Sequence, residues 1–456
     1  MRSAVRFPAR VVLSLLGFLA LAPRLSAQTV DLPPSNVVLP NYDSLPIGQT
    51  GGLQAGAYVA RAKDDTSNWY NPAGLSRSDT SSISTSAGTY QLLSLDIEAL
   101  PEKGTGTQQV PALLGILVKK PWGDERWNAG ILLVRTNSWL QETDAELNRL
   151  VGNTGDLLTY SSDSYFQRVE GSLGLSYSDG GPWRFGAALS GVYTYLRTVQ
   201  STSESVVADT GLSAAQSAGR QTGSLGQGRV AVGVQYDLSP EIQLGALVRT
   251  PGFTVVRNGT YTVDAIATLP EATATLSFFD QDIRFNYKLP FEVVAGAAYV
   301  RDRFELELDV KFYTGNSAYN LFETQKQATL INTGTPGTPP IVTLVPVSNI
   351  VTDASAIVNV AVGGHFTLTQ NKAWKLHFGF NTDMSPLGDE DQFFAPVDLY
   401  SFRVGVSGET QHFVGSLGIQ YAFGSATVPF ERIAEQTTSE VNVHSLGFLY
   451  SLGYRF

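Results

Sequence analysis

The sequence has no cysteine, and only four histidines and two methionines among its 456 residues. Without cysteine there can be no disulfide, iron–sulfur cluster, thiolate zinc site or thiol nucleophile. Charge is scarce as well, at 16% of residues, and 31 Lys plus Arg face 41 Asp plus Glu for a formal net charge of −10. A chain without clustered cations lacks the electrostatic footprint of a nucleic-acid binder, so no nucleic-acid partner is expected. Long apolar runs are also missing. The stretch from Val11 to Ala22 is about a dozen residues, short of the ~20 that a spanning helix needs. It follows Arg2, Arg6 and Arg10 and precedes Leu25-Ser26-Ala27, so residues 1–27 read as a cleaved export signal and the mature chain as starting at Gln28. A mean hydropathy of −0.02 is too polar for a bundle of membrane helices.

What the remainder contains is alternation. Phe304, Leu306, Leu308, Val310 and Phe312 alternate with Glu305, Glu307, Asp309 and Lys311. Tyr400, Phe402, Val404 and Val406 alternate with Ser401, Arg403, Gly405 and Ser407. Period two marks strands with one apolar and one polar face, which a soluble sandwich would also show. The connections separate the two cases. Short turn signals fall at Lys119–Arg126, Ser178–Trp183, Asp237–Glu241, Arg301–Arg303, Thr369–Ala373 and Gly408–Gln411. Between them lie long segments at 91–109, 137–163, 198–225, 253–288, 315–353, 383–397 and 424–440. Six short and seven long connections predict fourteen strands, and their strict alternation is that of an outer-membrane barrel with short periplasmic turns. The last strand agrees: Leu446, Phe448, Tyr450, Leu452, Tyr454 and Phe456 share one face and end on a terminal Phe, which resembles the signal read by barrel-assembly machinery. The expected fold is therefore all-β: a 14-stranded antiparallel transmembrane β-barrel over 81–456, preceded by an N-terminal hatch over 28–80. Its expected place is the outer membrane of a Gram-negative bacterium, as a monomer among outer-membrane lipid and lipopolysaccharide.

Several strands are apolar on both faces. Examples are 111–118, 130–134 and 291–300. Such a strand needs a dry surface inside as well as lipid outside, supplied either by packing on a plug or by a hydrophobic solute. Residues 138–151 read as a short amphipathic helix with Ser138 as N-cap and Leu140, Leu147 and Val151 on one face. Trp139, Leu140 and Leu147 are its candidates for capture of a lipidic ligand, with packing on the barrel rim as the plainer reading. Phe278, Phe279, Phe393 and Phe394 are loop aromatics that line the mouth or pack there. Segments 201–224 and 332–341, rich in Ser, Thr, Gly and Pro, read as mobile tips.

Residues 28–46 carry Pro33, Pro34, Pro40 and Pro46 and cannot be helical. Next comes the small-residue run from Gly51 to Ala62, the acidic pair Asp64-Asp65, and Asn71-Pro72-Ala73-Gly74-Leu75 opening toward a strand. This stretch resembles the hatch of the FadL family (which includes TodX), outer-membrane transporters of long-chain fatty acids and other hydrophobic compounds. The segments 238–246, 289–293 and 395–402 resemble later strand starts of the same family, so the resemblance spans the mature chain, with 201–224 and 315–353 departing from it. It implies passive transport: capture in an apolar lumen, movement of the hatch, and lateral release through a kinked strand. On that analogy Asn71, Pro72 and Ala73 form the hatch motif, and Gly130 of the third strand marks the candidate lateral opening, since strand glycines often mark bulges.

No catalytic chemistry accompanies this. His365, His377, His412 and His444 lie on separate strands without a nucleophile or metal-ligand spacing, the first three facing inward by parity. Arg249 and Arg403 also face inward, as candidates to meet a substrate carboxylate or, more plainly, lumen acids such as Glu305 and Glu307; Arg455 shares their parity. No metal, cofactor or enzymatic activity is expected. The alternatives are a general porin for small solutes and a structural or adhesive barrel.

Overall fold

The computed structural model describes residues 41–456 except 44, 46, 98–103, 152–153, 209–210, 270–271, 335–338, 348, 370–372, 389–393, 395 and 433–434. The expected export signal over residues 1–27, the proline-rich stretch up to Pro40, Pro46 and Phe393 lie outside the described residues. The strands in order are β1 (Ser82–Ile97), β2 (Gly104–Lys119), β3 (Trp127–Val151), β4 (Thr154–Tyr177), β5 (Trp183–Ala208), β6 (Gly211–Asp237), β7 (Ile242–Arg249), β8 (Phe253–Leu269), β9 (Ala272–Asp280), β10 (Arg284–Phe285), β11 (Glu292–Arg301), β12 (Phe304–Tyr313), β13 (Asn316–Glu323), β14 (Gln327–Thr333), β15 (Ile341–Pro346), β16 (Ile350–Ala354), β17 (Ile357–Thr367), β18 (Trp374–Asp383), β19 (Asp398–Glu409), β20 (Phe413–Arg432) and β21 (Glu435–Arg455). Fourteen of them, β1–β7, β11, β12 and β17–β21, pair antiparallel in sequence order, and β21 pairs back onto β1 to close the barrel. Closure gives each of the fourteen strands a partner on both sides, which lipid cannot do.

Burial separates a membrane barrel from a soluble sandwich. On β12 the charged Glu307, Asp309 and Lys311 are buried while Leu308, Val310 and Phe312 are exposed. On β19 Ser401 and Arg403 are buried while Tyr400, Phe402 and Val404 are exposed. A sandwich buries the apolar face; here the polar face lines the interior and the apolar face looks outward, as lipid demands. Exposed Trp122, Trp183, Trp374 and Phe413 stand at the short-turn end, and Tyr193 and Tyr421 farther up, as aromatic girdles do. Among the described residues no helix is long and apolar enough to cross a membrane.

The long connections differ from expectation. The helix expected over 138–151 is the upper half of β3, paired residue by residue with β4 from Ser138↔Gln167 to Val151↔Thr154. Trp139 is buried toward the lumen and Leu140 is half-buried on the other face, so the two do not share a helical stripe. The backbone of Leu147 is strand as well. Helical propensity has yielded to a continuous partner strand, and non-local pairing of this kind overrides local preference. Segment 201–224, expected as a mobile tip, is likewise a β5–β6 ladder, and β20–β21 rises to Arg432↔Glu435. The strands simply outrun the membrane. Within 332–341, Thr333 ends β14 and Ile341 begins β15.

β8 continues the line of β7 above the Thr250-Pro251-Gly252 break, and β9, β14 and β15 extend that side. The small sheet β10–β13–β16 is separate, and its Phe285, Leu321, Phe322 and Ile350 are buried in an apolar cluster with barrel-wall residues.

Candidate functional site

The described N-terminal segment lies inside the barrel. It is two helical turns, Thr50–Leu53 and Ser67–Tyr70, then a 3-10 helix Pro72–Arg77 leading into β1. Gln54, Ala57, Tyr58, Val59, Ala60 and Arg61 are buried to within 2% of full coverage. The doubly apolar strands explain themselves here. Leu113, Leu132 and Val134 pack on Ile47, Tyr58, Ala62 and Tyr70, and Leu247 and Val294 pack on Val59. Their inner faces are dry because they cover the segment, the plug-packing reading rather than the solute one.

Small residues let backbone approach the wall. The asparagine of Asn71-Pro72-Ala73 is an N-cap: its Oδ1 accepts from Ala73 N at 3.1 Å. Its Nδ2 donates to Val59 O at 2.9 Å and to the wall carbonyls of Val234 and Ala246 at 3.0 and 3.3 Å. One fully buried side chain thus ties the segment's turn, its own earlier backbone and two strands. Pro72 and Ala73 are buried beside it. Gly130 is regularly paired, to Leu117 on β2 and Gly174 on β4, and a Cβ there would meet Leu75 at 2.8 Å. It is a seat for the plug and not a kink.

Ion pairs fix the other side. Arg61 donates to Glu307 at 2.6 Å, Glu305 at 2.9 Å and Gln54 Oε1 at 2.6 Å, and Gln54 Nε2 reaches His377 and His365 at 3.1 and 3.3 Å. Burial works against the Arg61 cation, but Glu307 and Glu305 more than offset it and hold its pKa raised. Asp309 accepts from the backbone of Tyr58 and Val59 at 2.8 and 3.1 Å. Asp43 takes Lys311 at 2.7 Å, Asn359 at 2.8 Å and Tyr313 at 3.1 Å; burial raises its pKa, and these partners together bring it below the ordinary value. Arg249 pairs with Glu292 at 2.5 Å, donates to the carbonyl of Trp69, and lies 4.5 Å over that indole ring. Arg403 donates to Gly52 O at 3.1 Å, its Nε and Nη2 having no hydrogen-bond partner among the described residues. Both arginines expected inward therefore hold the segment. His412 is exposed at a turn, against its expected parity, and Arg455 is partly exposed and paired with Glu409. Arg61, Gln54 and Asp43 escaped the sequence reading; the signal for them was the run of inward charges on β12, which needs partners inside the barrel.

Above the segment lies the large apolar cluster, with Trp139, Phe166, Leu196, Tyr261, Phe278 and Phe394 among its members. Phe278 and Phe394 thus face inward, whereas Phe279 is exposed. The wall beside this cluster is interrupted. β2 pairs with β3 from Leu113↔Val134 down to Lys119↔Asn128 and again only at Thr105↔Glu142, leaving 106–112 and 135–141 without a ladder. β3 also shifts register against β4 between Arg135 and Asn137. The break sits five or more residues above Gly130. Asn137, on its edge, donates to Asn41 O at 2.8 Å, and Asn41 in turn donates to Asp383 O and Val397 O at 2.8 and 2.9 Å. The start of the described segment is therefore strung across the barrel from the opening to β18.

The closed fourteen-stranded barrel, taken as a whole fold, is one that solved structures share. The toluene transporter TodX of Pseudomonas putida superposes with a TM-score of 0.59 at 14% identity, over 91% of this chain and 99% of TodX. This chain has the FadL-type fold. A Pseudomonas aeruginosa FadL homologue gives 0.59 at 12% identity over 90% and 99% of the two chains. The Ralstonia pickettii toluene transporter TbuX gives 0.53 at 13% over 91% and 99%. No protein-family model matches the sequence and no curated protein matches it. The FadL-type fold thus persists here at identities that establish the architecture alone.

Proposed function

We propose that this barrel carries hydrophobic compounds, long-chain fatty acids in the first instance, passively across the outer membrane of a Gram-negative bacterium. The observation that carries the reading is the unpaired stretch between β2 and β3, with Trp139 of the apolar cluster at its edge and Asn41 of the plug bonded to Asn137 beside it. A solute that enters the apolar interior leaves sideways into lipid once the segment lets go of the opening. Each methylene kept out of water contributes about 0.8 kcal/mol, so an oily path outcompetes a wet pore for such cargo. The acid as cargo is supported by Arg229, which is 5% exposed two residues from Gln227 on β6, with Nε and Nη2 lacking a hydrogen-bond partner among the described residues. Glu292, 3.6 Å away, is already paired with Arg249, and the buried Glu170 acts on Arg229 through its charge. A substrate carboxylate would complete it.

The cysteine-free chain allows a clean test. Gln109→Cys and Ser138→Cys place thiols on the two sides of the opening, and a short bismaleimide joins them. We expect the joined barrel to assemble normally and to lose most oleate uptake, with each single variant treated alike as control. Undiminished uptake after bridging would refute lateral exit. Uptake of toluene in place of oleate would keep the route and replace the acid.

A further inference from the structure

The wall has a second seam, on the far side from the first. β7 pairs with β11 only as far as Arg249↔Glu292, and β8 pairs with β9 only from Tyr261↔Asp280. Between them, residues 253–260 have no ladder on that side. Two single backbone bonds span the seam, Gly252 N to Leu289 O at 3.4 Å and Ile283 N to Gly259 O at 3.3 Å. A cavity of about 440 Å³ opens there.

Its lining is unlike the apolar interior. Beside Pro251, Tyr287 and Leu289 it carries the amide side chains of Gln227, Asn286, Asn316 and Asn320 and the carboxylate of Glu323, which faces Arg284 at 4.0 Å. Gln227 is 4% exposed, yet among the described residues its Oε1 has no hydrogen-bond partner, and neither has the buried Nδ2 of Asn316. A buried acceptor and a buried donor left open on one cavity call for a ligand that both donates and accepts. Lys288 lies 4.4 Å from the Tyr319 ring centroid, and Arg257 donates to Asn286 Oδ1 at 2.5 Å. Neither cation pairs with a carboxylate among the described residues, and Glu323, the carboxylate on the cavity, is met by Arg284 instead, so Lys288 and Arg257 remain open to an anion. Outside the mouth, Phe253, Val255 and Val256 are 56%, 72% and 64% exposed.

Height fixes the surroundings. Phe253 stands eleven residues beyond Ile242, the start of β7. At ~3.3 Å per residue and a tilt of ~40° that is a rise of about 28 Å, against an apolar band of ~25 Å. The cavity mouth therefore meets the head-group layer of the outer leaflet.

We infer that this seam binds the head group of an acidic outer-leaflet glycolipid, a phosphorylated amino sugar, with its acyl chains lying along Phe253 and Val256. The sugar's hydroxyl and amide groups match Gln227 and Asn316, and its phosphate matches Lys288 and Arg257. The inference rests on the outer-membrane reading above and adds a lipid site at a wall seam other than the one between β2 and β3.

The test uses the full chain in a zwitterionic amine-oxide detergent, which offers no sugar, and native mass spectrometry. Diacylglucosamine 1-phosphate is expected to bind one to one. Phosphatidic acid with the same chains, and glucosamine 1-phosphate without chains, are expected to bind at least about tenfold more weakly, as each lacks one half of the recognition. Gln227→Leu and Asn316→Ala are each expected to weaken the diacylglucosamine phosphate by about tenfold, the usual consequence of losing a buried hydrogen-bonding group. Leu189→Ala, on the lipid face of β5, should leave binding unchanged. Heat-modifiable gel mobility reports whether each variant is assembled. Equal binding of phosphatidic acid, or undiminished binding by an assembled Gln227→Leu/Asn316→Ala double variant, overturns the site. A barrel that reaches the outer membrane and takes up oleate yet binds no glycolipid loses this inference alone, whereas failure to reach that membrane removes the reading beneath it.

Discussion

Asp65 shows how one side chain sets a condition on the plug. It is 2% exposed and lies against Gly115 of β2, with no ion pair among the described residues. Burial, aided by the neighbouring Asp64 charge, pushes its pKa up to about 7 from an ordinary 3.8. A segment pulled into water would restore the ordinary value. Between about pH 4 and pH 7 the seated segment thus binds more protons than the displaced one, and its stability falls as pH rises through that window and levels off above it. The full effect is on the order of a few kcal/mol. We expect amide protection over 58–75, read by hydrogen exchange, to decline from pH 4.5 to 7.5 in the wild type and to stay flat in Asp65→Asn. A flat wild-type profile would mean that Asp65 carries no such penalty. The acidic pair was visible in the sequence, but its burial was not, because nothing local distinguishes a carboxylate facing a strand glycine from one facing water. Asn71 was legible for the opposite reason. An Asx cap before proline is a local device, and only its reach to Val234 and Ala246 needed the fold.

At the scale of the element, the plug is a segment with little regular structure of its own, held by side chains of β12. Arg61 is its latch, since Glu305 and Glu307 both close on it. Such buried pairs add little net stability but fix geometry, and removing one partner strands the other at a cost of about 3–5 kcal/mol. We expect Arg61→Met to leave the barrel heat-modifiable while exchange of the 54–62 amides quickens, and Arg61→Met/Glu307→Gln to recover part of the protection. Unaltered exchange in the single variant would show that the segment is held elsewhere. The elements themselves were mostly readable: polar–apolar alternation and six short turns placed every barrel strand. The exception is instructive. Residues 138–151 have the spacing of an amphipathic helix, and only pairing with β4, from Ser138↔Gln167 to Val151↔Thr154, turns them into β3, an inter-strand effect that periodicity cannot register. The position of the opening was lost in the same way. Gly130 was the visible irregularity, whereas the real break lies where two ladders fail to meet, a property of a pair of strands.

The whole molecule is a polar-lined tube closed by an apolar-packed plug. Strip the plug away and the inner faces of β12, β17, β18 and β19 would present Glu307, Asp309, Lys311, Asn359, His365, His377, Asn381 and Arg403 to the lumen, all of them buried now. A tube lined with such groups fills with water and carries ions. With the segment seated, Glu307, Asp309, Lys311, Asn359, His365 and His377 bond to Gln54, Tyr58, Val59, Arg61 or Asp43, and Arg403 donates to Gly52 O. The strand count could be read from the chain, but the match of wall charge to the backbone of the inner segment could not, because it joins residues some 250 positions apart, as Tyr58 to Asp309 does. A bilayer experiment follows from this match. Full-length protein should show no steady open-channel current, and a variant lacking residues 28–77 should show stable, large conductance steps. Deletion without conductance would mean that the upper apolar cluster seals the barrel unaided. A full-length protein as conductive as the deletion would mean that the segment does not close the tube, and a general porin would then describe the molecule better than a carrier of hydrophobic cargo.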